Sequence, residues 1–122
     1  MLKPSTSTSI IVRHSVWDSV LIARRGIDEE TYAKQLIDRL KTESVDDGGE
    51  IDVVRWSIEA RDLAVKYVYT YQGFAPGAPP TAAARIDAAY DRAAQPVIEK
   101  QLMRGGVRLA RILNDAAARR RQ

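Results

Sequence analysis

Tyr90-Asp-Arg-Ala-Ala-Gln-Pro96-Val-Ile-Glu99-Lys-Gln-Leu-Met-Arg-Gly105-Gly106-Val-Arg-Leu-Ala-Arg-Ile-Leu-Asn114 is the stretch on which the fold of this 122-residue chain turns. The apolar residues Ile86, Ala89, Tyr90 and Ala93 before Pro96, and Val97, Leu102, Leu109, Ile112, Leu113 and Ala116 after it, recur at helical spacing. Thr81 is the candidate cap of the first part. Pro96 removes a backbone donor and crowds the turn before it, which predicts a break or a kink there. Gly105-Gly106 falls inside the second part at about 1 kcal/mol each relative to Ala, which suggests close approach of another helix or local fraying.

The rest of the chain reads the same way. Trp17, Val20, Leu21 and Ala23 give a short first helix from Trp17 to about Arg24, stopped by Gly26. Asp28 can cap a second over residues 29–42, with Glu29 and Glu30 where the helix dipole favours acids and Tyr32, Leu36, Ile37 and Leu40 on one stripe. Asp46, Asp47, Gly48 and Gly49 make residues 43–50 a loop. A third helix runs from about Asp52 to Tyr69, and residues 72–80, with three prolines and two glycines, form a surface loop. Before these, Ile10 to Val12 are a short β-branched run. No strand pattern and no repeat emerges, so the fold class is all-α, four to five helices around a modest core. Several apolar faces are wider than the partners within the chain, as in a piece of a larger helical domain.

Hydrophobic content of 45% and charged content of 29% fit one globular domain and argue against disorder. The absence of cysteine excludes a disulfide framework and a thiolate metal site. No run approaches the roughly 20 apolar residues of a membrane span. Met1 to Ser9 lack the apolar core of a secretory signal, so the chain as it stands carries no export address. Net charge is +3, concentrated at one end: residues 101–122 hold Arg104, Arg108, Arg111, Arg119, Arg120 and Arg121 against Asp115 alone. That pattern is either a phosphate-binding stripe or, as favoured here, a solvated helix face with a basic tail.

His14-Ser-Val-Trp-Asp18 contains the only histidine, four residues before a carboxylate. On a helix such residues share a face with Cβ atoms roughly 5–6 Å apart, so imidazole and carboxylate can converge on one cation. A surface pair or a helix cap is the commoner use of that spacing.

Three blocks together resemble a known family. His14-Ser-Val-Trp-Asp18 with Ser19-Val-Leu-Ile22 looks like the last zinc-binding HxxxD helix of the S1/P1 nucleases, the zinc-dependent, single-strand-preferring nuclease and 3′-nucleotidase family. Trp56-Ser-Ile-Glu59-Ala60, with Leu63-Ala64 and Val68-Tyr69, resembles its Trp-x-x-Glu helix. Tyr90, Ala94, Pro96-Val97-Ile98-Glu99 and Gln101-Leu102, then Gly106-Val-Arg108-Leu-Ala110 and Leu113-Asn114, resemble its C-terminal helix. The resemblance divides the chain into an unmatched polar leader, 1–12, the C-terminal part of a nuclease domain, 13–118, and a basic tail, 119–122.

The resemblance implies a helical fragment of the phospholipase C/P1-nuclease-like fold, in a domain about twice this length that holds three zinc ions. It implies hydrolysis of single-stranded DNA and RNA to 5′-phosphate products by zinc-bound hydroxide, in the service of DNA catabolism, and secreted or periplasmic placement. Of the zinc ligands only His14 and Asp18 have counterparts here. The family's N-terminal Trp and its upstream His and Asp ligands are missing, and Arg13 stands where the family usually has Leu. These departures point to a truncated chain that needs its missing N-terminal half or self-association.

The remaining candidates divide between structural and functional uses. Trp17 is expected to pack beneath its helix rather than stack on a base. Glu99 and Asp62 are expected to be solvated or salt-bridged, and Tyr67, Tyr69, Tyr71 and Phe74 are either a stacking platform or a covered helix end. Two functions follow: part of a zinc-dependent endonuclease, or a small non-catalytic helical module binding nucleic acid or a protein partner.

Overall fold

A computed structural model describes residues 16–45, 49–69 and 86–122 of the chain. Among these residues every regular element is helical, as the apolar spacing requires. Helix α1 opens as a π-helical turn, Val16–Val20, and closes with one α-helical turn, Leu21–Ala23. Gly26 then takes φ 65°, a left-handed conformation that side chains with a Cβ rarely adopt, and so ends the segment as expected. Helix α2 is Glu29–Leu40, and the Asp28 carboxylate accepts from the Thr31 N–H at 2.9 Å. Helix α3 is Val53–Ala64, capped by Asp52 through the Arg55 N–H at 2.9 Å and prolonged by a π-helical turn, Val65–Tyr69.

Helix α4, Ala88–Arg120, is the spine: 33 residues, about 50 Å long. Two expectations change here. Ile86 precedes the helix instead of lying in it, because Asp87 supplies the cap and accepts from the Tyr90 N–H at 2.7 Å; Thr81 and the loop 72–80 lie outside the described residues. Pro96 does not divide the helix. Its missing donor costs one hydrogen bond, while Ala94 and Ile98 on either side are buried in the core and hold the backbone helical through it.

Two core clusters line up along α4. Val16 and Leu21 of α1 pack on Tyr90, Ala94 and Ile98, flanked by Trp17, Ile22, Val68 and Ile86. Tyr32 and Leu36 of α2 pack with Val45 on Met103, flanked by Ile22, Leu40 and Val107. Ile22 touches both and so links the α1 cluster to the α2 cluster. Ile37, expected on the buried stripe of α2, is 58% exposed, since α2 meets α4 along the narrower Tyr32–Leu36 line. Helix α3 buries no residue fully. Val53, Val54 and Ile58 on it and Leu109 and Leu113 on α4 stay exposed, the wide apolar faces foreseen from the sequence. Among the described residues none closely approaches Gly105 or Gly106, where an added Cβ would meet nothing within 4 Å.

Candidate functional site

Asp18 sits on the π-helical turn of α1, exposed and beside the partly buried Trp17. His14 lies outside the described residues, so their convergence is an expectation of spacing alone. Among the described residues no group of three or more His, Asp or Glu side chains could hold a metal ion. With one histidine and no cysteine in 122 residues, the donors present do not fit a closed zinc site of nitrogen and sulfur ligands.

What the structure defines well is how the Asp18 segment is held. The Trp17 indole Nε1 donates to the Tyr90 hydroxyl at 2.9 Å, with the two rings edge to face at 6.3 Å between centroids. That hydroxyl donates in turn to the Tyr67 carbonyl at 2.7 Å. One oxygen thus joins α1, the π-helical end of α3 and the start of α4. Gln95 adds a second tie, its Nε2 donating to the Leu21 carbonyl at 2.7 Å and to Asp91 Oδ1 at 2.8 Å. Trp17 therefore packs as expected, as a wedge on α4.

Glu99, expected to be solvated or salt-bridged, is buried and salt-bridged: Arg25 Nη2 lies 2.8 Å from its Oε1, and Arg39 Nη1 donates to Oε2. Arg39 also holds Glu43 through Nε at 2.8 Å and Nη2 at 2.9 Å. Arg25 stacks over the Tyr32 ring at 5.3 Å, a cation–π contact inside the same node. Burial, with the Glu99 charge adding to it, pushes the Tyr32 hydroxyl up from its ordinary value. Asp62 pairs with the adjacent Arg61 at 2.9 Å on the surface.

A second node joins α3 to α4. Glu59 accepts from Arg108 at 3.1 and 2.9 Å and from Arg104 at 3.1 Å, and the Arg108 guanidinium covers the Trp56 ring at 4.9 Å. Arg104 also donates to the Val45 carbonyl at 2.6 Å. The hydrogen bonds from Arg108, more than the nearby charges of Arg104 and Arg108, hold the Glu59 carboxyl below its ordinary value of 4.5. The basic stripe therefore divides: Arg104 and Arg108 are structural, Arg119 pairs with Asp115 at 3.1 Å, and residues 119–122 form an exposed end.

Sequence reasoning did not foresee the Tyr90 hydroxyl hub or the pairing of Glu59 with Arg108. Both join residues of different motif blocks, which was the one available signal. Of the suspected aromatic platform, Tyr67 is half-buried with Lys66 over its ring at 5.1 Å and Tyr69 is 61% exposed, while Tyr71 and Phe74 lie outside the described residues. No described helix is long and apolar enough to cross a membrane.

Compared with known families, residues 7–118 match a family model described as S1/P1 Nuclease. No curated protein and no solved structure gives a match.

Proposed function

The chain belongs to the S1/P1 nuclease family, and from that premise we propose that it is the C-terminal, HxxxD-bearing part of a zinc-dependent endonuclease. The reaction is hydrolysis of phosphodiester bonds in single-stranded DNA and RNA to 5′-phosphate products. In this reading His14 and Asp18 are two ligands of one zinc, and these 122 residues alone are inactive because the family's remaining ligands are not among them. Secreted or periplasmic placement belongs to the same proposal.

The observation that carries the reading is the Trp17–Tyr90–Tyr67 tie. An exposed carboxylate needs no such support to stay in water, but a ligand does, since small displacements of a donor cost much of the affinity of a site. The test is complementation. The chain alone with zinc should leave single-stranded DNA intact; mixed with the N-terminal, ligand-bearing part of an S1/P1 nuclease it should cleave, and His14→Ala should abolish the cleavage. Cleavage indifferent to His14→Ala would overturn the reading.

A second reading, a non-catalytic module that binds nucleic acid, is favoured by the exposed arginines 119–121 at the end of α4. Under it the chain binds single strands without zinc, with an affinity that falls steeply with salt and loses slope when these arginines are replaced.

A further inference from the structure

Lys100, Arg104 and Arg108 follow one another at four-residue spacing on α4 and so share one of its faces. With Ser44 and with Arg55 and Glu59 of α3 they line a recess of about 250 Å³. The wall of this recess is built rather than loose. Arg104 is only 20% exposed, and its guanidinium is anchored along one edge: Nε donates to the Val45 carbonyl at 2.6 Å, and Nη1 to Glu59 and to Gln101, each at 3.1 Å. Among the described residues neither the Arg104 Nη2 nor the Nζ of the exposed Lys100 donates a hydrogen bond, and neither is sealed from solvent. Two cationic donors from successive turns of α4 thus open onto one recess with their bonds unmade.

We propose that this recess binds a phosphate group, with Arg104 Nη2 and Lys100 Nζ donating to its oxygens and Arg55 adding positive charge from α3. Charge-assisted bonds of this kind are the strong ones, and arginine with lysine is the pairing that phosphate oxygens accept best. A planar carboxylate ligand would want the full guanidinium fork, whereas Nε and Nη1 of Arg104 are already engaged. Glu59 stands in the same wall, but the hydrogen bonds from Arg104 and Arg108 offset its single charge. The volume lies below the roughly 300–1,000 Å³ that takes a whole small molecule, which suits one phosphate group. Arg104 is ten residues beyond Ala94, about 15 Å along α4 from the packing of α1, so the site is separate from the Asp18 segment. It stands whether or not His14 and Asp18 bind zinc.

The test is a titration of the whole chain with inorganic phosphate at constant ionic strength, followed by NMR at the Arg104 Nε–H and the Trp56 indole. The Trp56 ring lies under Arg108 at 4.9 Å and so reports on the same wall. Both signals should shift saturably. Lys100→Gln should weaken the binding about tenfold, while replacing Arg119, Arg120 and Arg121 by Gln should leave it unchanged. Lys100 is exposed, so its substitution should keep the helicity, which circular dichroism checks. A short oligothymidylate forms a second arm: it should move the same two signals if the phosphate belongs to a strand, and leave them in place if the site takes free phosphate or a monoester. Either result upholds the site. Shifts that rise linearly without saturating, or binding that Lys100→Gln does not weaken, would overturn the proposal.

Discussion

The Tyr90 hydroxyl accepts a hydrogen bond from Trp17 at 2.9 Å and donates one to the Tyr67 carbonyl at 2.7 Å, so two residues 73 positions apart fix α1 against the spine. Tyr90→Phe keeps the ring and removes the oxygen, leaving an indole N–H and a carbonyl partly buried without their partner. The expected loss is about 1–3 kcal/mol in urea unfolding. A loss below a few tenths would mean that both groups find water without penalty.

Glu99 balances Arg25 and Arg39 from a position 8% exposed. Glu99→Ala leaves two guanidinium groups without a shared carboxylate. Arg25 and Arg39 are themselves about one-third exposed, so the cost should be about 1–3 kcal/mol rather than the larger value of a fully buried pair. Glu99→Met, which replaces the charge with volume, should lose no less, because the arginines keep their charge.

Glu59 has a lowered pKa in the fold, so its ion pair with Arg108 stabilises the protein above the unfolded-state value near 4.5 and is lost as pH falls through the lower folded value. Thermal stability should therefore decline between about pH 5 and about pH 3. The Glu59→Gln variant should be less stable at neutral pH and show a shallower decline. An unchanged acid slope would exclude Glu59 as a contributor.

Gly105→Ala and Gly106→Ala should each raise stability by about 1 kcal/mol, since an added methyl meets no described residue within 4 Å. Destabilisation would reveal a contact at this point.

The local part of this fold was legible in the sequence. Asp28 and Asp52 lie directly before apolar-periodic runs and cap them, and Gly26 ends α1 in the left-handed conformation its position suggested. Apolar spacing alone carries α4 back through Ile86, whereas the helix starts at Ala88 because Asp87 accepts from the Tyr90 N–H. Pro96 predicts a break or a kink by a rule for isolated helices, which leaves out the core that Ala94 and Ile98 supply. The pairing of Glu59 with Arg108 spans 49 residues, and no periodicity encodes a partner at that distance. The three motif blocks taken together pointed to the family, which the match over residues 7–118 bears out. The geometry of the candidate site was not legible, because a four-residue spacing fixes no partner beyond the pair itself.

The most direct test of the proposal that His14 and Asp18 are ligands awaiting a complementary part is the zinc content of the reconstituted complex, measured by equilibrium dialysis and elemental analysis. The isolated chain should retain no zinc, the complex should bind it stoichiometrically, and Asp18→Ala should cost the complex one ion while leaving its assembly intact. A complex with Asp18→Ala that keeps its full zinc content would contradict the account.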